Sequence, residues 1–134
     1  MSRKVAQKDM FGCGIACLAS VMNTAYKEVL GKHRNKAMTT GFLCKDLIYL
    51  LEQRGFHYSY NYINTRMRKK IYEDGTIVFI KRSTKYPSGH YLCRVKNVWM
   101  DPWVNFTLSD DLSNAKAGFR KKLPGKPIYV LIKK

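Results

Sequence analysis

Residues 88–103 read SGHYLCRVKNVWMDPW, and this stretch decides the fold. Two runs of aromatic and β-branched residues, His90 to Val95 and Val98 to Asp101, flank Lys96-Asn97, and Pro102 follows the second run. Such runs around a two-residue break containing asparagine predict an antiparallel hairpin, which Pro102 ends because it cannot extend a hydrogen-bonded ladder. A turn centred between Lys96 and Asn97 sets Val95 opposite Val98, Cys93 opposite Met100 and Leu92 opposite Asp101. His90 lies two residues from Leu92 on the same face, so His90 and Asp101 become diagonal neighbours that a side-chain hydrogen bond can bridge.

Further β character surrounds the hairpin. Phe56, Tyr58, Tyr60 and Tyr62 alternate with polar residues, Thr76 to Lys81 follows the turn signal Asp74-Gly75, and Ile128 to Ile132 supplies a last strand. Tyr86-Pro87-Ser88-Gly89 reads as a loop, and Asn64 to Tyr72 as a short basic helix. Toward the N-terminus the period is helical. Ile15, Ala16, Leu18, Ala19, Val21 and Met22 recur at helical spacing after Gly12-Cys13-Gly14. A second helix runs from Thr24, its cap, to about Leu30, with Gly31 as the stop; a third spans Phe42 to Leu51 and closes at Gly55. Helices first and a mainly antiparallel sheet second make an α+β protein.

The chain has 134 residues, which suits a single domain, 1–134, with a core that needs no disulfides. It is 46% hydrophobic with a formal net charge of +16, too apolar for a disordered basic tail. The basic excess concentrates in residues 61–134, which hold 16 Lys and Arg against 5 Asp and Glu. Such a field attracts an acidic protein or peptide, nucleic acid or anionic membrane, and names none of them. No apolar stretch approaches the roughly 20 residues of a spanning helix, so no transmembrane segment is expected. Cys13, Cys17, Cys44 and Cys93 lack a dense disulfide spacing and no secretory signal opens the chain, which together point to reduced thiols in the cytoplasm.

Cys13 is the cysteine that position singles out. It stands at a helix start, where unpaired backbone N–H groups and the helix dipole favour thiolate. Gly12 is read as easing a tight turn into that helix and Gly14 as keeping its first turn open to a substrate backbone; the Cys13 N–H can serve an oxyanion hole. The competing reading is a small buried hydrophobe, which is what Cys17, Cys44 and Cys93 are taken to be. The Cys13–Cys17 pair at i, i+4 could ligate zinc, but no CxxC pair supports it, and no metal or cofactor is expected. His33, in a basic cluster, and His57 are read as surface residues.

Gln7, Cys13-Gly14 with Ala16, Gly89-His90-Tyr91 and Asp101-Pro102, in this order and spacing, resemble the C39 family of papain-like cysteine peptidases, the group that processes bacteriocin leader peptides. The resemblance runs from Gln7 to about Trp103; Phe106 to Leu123 matches only as a variable connection. It implies a papain-like fold with Cys13 as nucleophile, His90 as general base and acid, Asp101 orienting His90, and Gln7 donating to the oxyanion. Such a site would hydrolyse a peptide or protein substrate, after Gly-Gly where the family pattern holds. Gly12 stands where the family often has Asp, and the family's best-known members are domains of peptide-exporting transporters, whereas this chain reads as free-standing. Two other classes stay open: a papain-like acyltransferase, and a noncatalytic basic adaptor in which Arg66 to Lys70, Lys81-Arg82, Lys85 and Arg120 to Lys122 meet nucleic acid or an acidic protein.

Overall fold

The computed structural model describes residues 4–107 and 111–134. Residues 108–110, part of the variable connection, lie outside the described residues. Four helices precede and flank a sheet, as the change of period predicts: α1 (Cys13–Met22), α2 (Tyr26–Leu30), α3 (Arg34–Thr39) and α4 (Cys44–Glu52). The strands are β1 (Tyr58–Tyr62), β2 (Ile77–Ile80), β3 (His90–Val95), β4 (Val98–Asp101), β5 (Gly118–Arg120) and β6 (Pro127–Lys133). They form a six-stranded sheet in the order β1-β6-β2-β3-β4-β5, with every neighbouring pair antiparallel.

Helix α1 is buried continuously from Gly14 to Ser20, the pattern of a helix with neighbours on all sides. It packs on the face of β3, and it ends where Asn23 takes a left-handed φ of 52° and its N–H reaches the carbonyls of Ala19 and Ser20. The sheet is covered on both faces. Ile77, Tyr91, Cys93, Met100 and Leu131 join Ile15, Leu18, Leu47 and Leu51 on the helical side, whereas Val78, Leu92, Trp99 and Val130 share the other face with Ile71 and Tyr86. All six residues of β3 are therefore buried, which makes the strand that begins at His90 the most firmly embedded of the sheet.

The hairpin forms in the expected register, Cys93 with Met100 and Val95 with Val98, and Lys96 takes the positive φ of 54° that its tight turn needs. Several local expectations are corrected. Helix α2 starts after Ala25 with no side-chain cap, so Thr24 is not its cap. Residues 64–72 form two short 3₁₀ turns, Thr65–Met67 and Lys70–Tyr72, because Asn64 Oδ1 accepts from the N–H groups of Arg66 and Met67 and the polar run has little apolar face to hold a longer helix. Strand β5 falls inside the stretch read as a variable connection; it is three residues long and exists by pairing with β4. Among the described residues no helix is long and apolar enough to cross a membrane.

Candidate active site

Cys13 is the first residue of α1 and is half-buried, whereas Cys17, Cys44 and Cys93 are buried. The loop that delivers it is anchored by Asp9, which is 3% exposed. Tyr26 Oη–H donates to Asp9 Oδ2 at 2.8 Å, Arg34 Nε pairs with Oδ1 at 3.7 Å, and the Gly12 N–H donates to the Asp9 carbonyl at 3.0 Å. Burial first, and then the Asp9 carboxylate, push the Tyr26 hydroxyl far above its ordinary range, so it stays a donor. Neither flanking glycine plays the part read from sequence. Gly12 has an ordinary φ of −95°, and what forbids a side chain there is the Tyr26 hydroxyl, 2.0 Å from where a Cβ would sit. A Cβ on Gly14 would face Leu47 and Tyr91 at 3.0–3.3 Å, so this glycine lets α1 approach α4 and β3 and points into the core.

His90 begins β3 and Asp101 ends β4, so the hairpin brings them together. His90 Nε2 and Asp101 Oδ1 are 2.7 Å apart, with the imidazole side chain 7% exposed and the carboxylate 0%. The carboxylate is held twice more: the Trp103 N–H donates to Oδ1 at 2.9 Å and Arg120 Nε to Oδ2 at 2.7 Å. Burial alone would drive Asp101 upward, but the His90 bond and charge, then Arg120 and the Trp103 N–H, bring it down to about 2. Burial likewise pulls His90 down, yet the hydrogen bonds to Asp101 and Cys13 and their negative charge outweigh it and lift the imidazole from 6.5 to about 9. With Nε2 committed to Asp101, the nitrogen left to meet the Cys13 side chain is Nδ1.

Gln7 lies in the same cleft and is 3% exposed. Its backbone N–H donates to the Pro102 carbonyl at 3.2 Å, tying the loop before α1 to the end of β4. Its side-chain Nε2 donates to the carbonyls of Asp9 and Met10, both at 3.1 Å, while the buried Oε1 has no hydrogen-bond partner among the described residues. A reversed amide would set Oε1 against two carbonyl oxygens, so this orientation is fixed. To meet an oxyanion, Nε2 has to share or release one of these bonds.

Cys13, His90 and Gln7 line one cleft of about 550 Å³ between the helices and the sheet. Its walls are mainly apolar and aromatic, including Phe42, Leu43, Phe79 and Tyr129, and besides His90 the ionic side chains lining it are Lys45 and Arg82. Tyr86 stacks on the His90 ring at 4.9 Å and 9°, covering one imidazole face. His33 and His57 stand away from this cleft. Among the described residues no group of three His, Cys, Asp or Glu side chains is placed to hold a metal ion. Asp9, Tyr26, Tyr86 and Arg120 are the contributors that sequence reading missed. Tyr86 was legible only as part of a loop, and Arg120 only as one charge in a basic run.

No protein-family model and no curated protein matches the chain. In three dimensions it is similar to the crystal structure of the peptidase domain of Streptococcus ComA, a bi-functional ABC transporter involved in a quorum sensing pathway. The TM-score is 0.59 with 14% identity, and the match covers 100% of both chains. The chain shares the fold of that peptidase domain, with N-terminal helices packed on an antiparallel sheet.

Proposed function

We propose that the chain is a cysteine peptidase in which Cys13 attacks the scissile carbonyl, His90 manages the proton and Asp101 orients His90. The observation that carries this reading is the His90 Nε2–Asp101 Oδ1 bond of 2.7 Å, on an imidazole whose other edge meets a half-buried cysteine at the start of α1. An imidazolium beside a thiol favours the thiolate, and a fixed carboxylate selects the ring orientation that serves it. Attack forms the S–C bond and a tetrahedral oxyanion within reach of the Cys13 N–H and, once it frees one N–H, Gln7. His90 then protonates the leaving amine as the C–N bond breaks, leaving a thioester on Cys13. Water, deprotonated by His90, attacks the thioester and releases the carboxylic acid and the thiolate.

The substrate we propose is a leader peptide cut after Gly-Gly. The likeness to a peptidase domain and the order of Gln7, Cys13, His90 and Asp101 support this choice. The test is incubation of wild type and Cys13→Ala with a peptide library that includes Gly-Gly leaders, with products read by mass spectrometry. Cleavage by wild type that Cys13→Ala abolishes is the expected result. Absence of cleavage across the library, or cleavage that survives the substitution, rejects the reading.

A further inference from the structure

Arg120 comes from β5, the short strand beyond the hairpin, and its side chain crosses to the far oxygen of Asp101. Nε donates to Oδ2 at 2.7 Å, and Nη2 donates to the Val104 carbonyl at 3.2 Å, which fixes the plane of the guanidinium. The two oxygens of Asp101 are thereby divided: Oδ1 takes His90 Nε2 and the Trp103 N–H, and Oδ2 takes Arg120. The Asp101 side chain is wholly buried with Arg120 in place, so Arg120 is the donor that serves Oδ2. Without that donor the carboxylate would keep only the contacts at its other oxygen, and its plane would be free to tilt away from the imidazole. The Arg120 charge also acts on the buried Tyr86 hydroxyl, which has no hydrogen-bond partner among the described residues and whose ring lies on His90.

We infer that Arg120 is a positioning residue: it holds the plane of the Asp101 carboxylate toward His90, and its charge tempers how strongly the Asp101 anion holds the proton on the imidazole. The proposal rests on the reading of His90 as the proton carrier. Each element packed around His90 contributes to that balance. Cys13 from α1 and Asp101 from β4 favour the imidazolium, Cys17 lies buried one turn along α1 from Cys13, Tyr86 covers the ring, and Arg120 opposes the positive charge. A carboxylate with no such counter-charge would bind the proton more tightly, and a base that holds its proton too tightly is slow to pass it to a leaving amine.

The test is an NMR titration of the His90 imidazole in wild type, Arg120→Gln and Arg120→Lys, with the resonance identified by its loss in His90→Gln, beside peptide-cleavage kinetics on the same proteins. Loss of the cation in Arg120→Gln is expected to raise the His90 midpoint by about one pH unit and to lower kcat by roughly tenfold or more with KM little changed. Arg120→Lys keeps the charge and loses the paired donors, so its midpoint stays near that of wild type while kcat falls. A His90 midpoint in Arg120→Gln that is unchanged or lowered overturns the proposal; should that variant not fold, an Arg120→Lys protein with wild-type kcat overturns it. If no protein cleaves any peptide, wild type included, the peptidase reading fails, and the titration still decides what Arg120 does to His90.

Discussion

Replacing Asp101 by Asn removes the charge that keeps His90 protonated, and the consequence is measurable without any substrate. His90 titrates at about 9 in the folded chain against an ordinary 6.5, despite burial that acts in the opposite sense. A rise of that size corresponds to about 3 kcal/mol of preference for the protonated folded state. Because the folded value lies above the unfolded one, this stabilisation is fully present below pH 6.5 and is lost as pH rises through 9. In Asp101→Asn the burial that lowers the imidazole remains and the main force raising it is gone, so the loss over the same window shrinks to less than about 1 kcal/mol. The variant also leaves Arg120 without its counter-charge, which lowers stability at every pH by a few kcal/mol and does not mimic the window. Urea unfolding followed by Trp fluorescence at pH 6, 7.5, 9 and 10 gives both curves, and their difference cancels titrations common to the two proteins. A wild-type stability that stays flat from pH 6.5 to 9, or an equal loss in both proteins, would refute the coupling of His90 to Asp101.

Iodoacetamide should label Cys13 well before the other thiols, since Cys17 and Cys93 are 0% exposed and Cys44 is 8% exposed; peptide mapping that finds equal labelling contradicts the site geometry. Gly89→Ala should destabilise by about 2 kcal/mol, because φ is +75° and a Cβ would lie 2.1 Å from Phe79 Cζ, and an unchanged thermal midpoint would count against this packing. Tyr26→Phe removes the donor at 2.8 Å from buried Asp9 and leaves Arg34 at 3.7 Å, so a loss of about 1–3 kcal/mol is expected in chemical denaturation.

The parts of the fold that were legible in sequence are those whose signal is local. Helix α1 and most of α4 follow from apolar spacing, and the β3–β4 hairpin from a two-residue break between strand-forming runs, so the meeting of His90 with Asp101 could be counted out on paper. Helix α3 was not legible, because Ala37 is the buried residue of that helix and one residue sets no period. Phe42 and Leu43 carry an apolar signal that continues the α4 pattern, yet they precede the helix and line the cleft. The glycines beside Cys13 were visible and misread. Their reasons for being glycine are the Tyr26 hydroxyl and the Leu47 and Tyr91 side chains, which come from distant parts of the chain.

By itself the sequence determined the α+β class, the helix-start position of Cys13 and the shared face of His90 and Asp101, because each depends on residues within about one element or one hairpin. Tertiary structure decided everything that depends on who arrives from elsewhere. It set Asp9 under the Cys13 loop, turned both Gln7 amide hydrogens onto backbone carbonyls, laid Tyr86 on the imidazole and brought Arg120 to the second oxygen of Asp101. Of these, Arg120 helps to lower Asp101, while Cys13, brought from α1, joins Asp101 in raising His90. No local pattern encodes them, since a lone arginine in a basic run has the same appearance whether it faces solvent or a buried carboxylate.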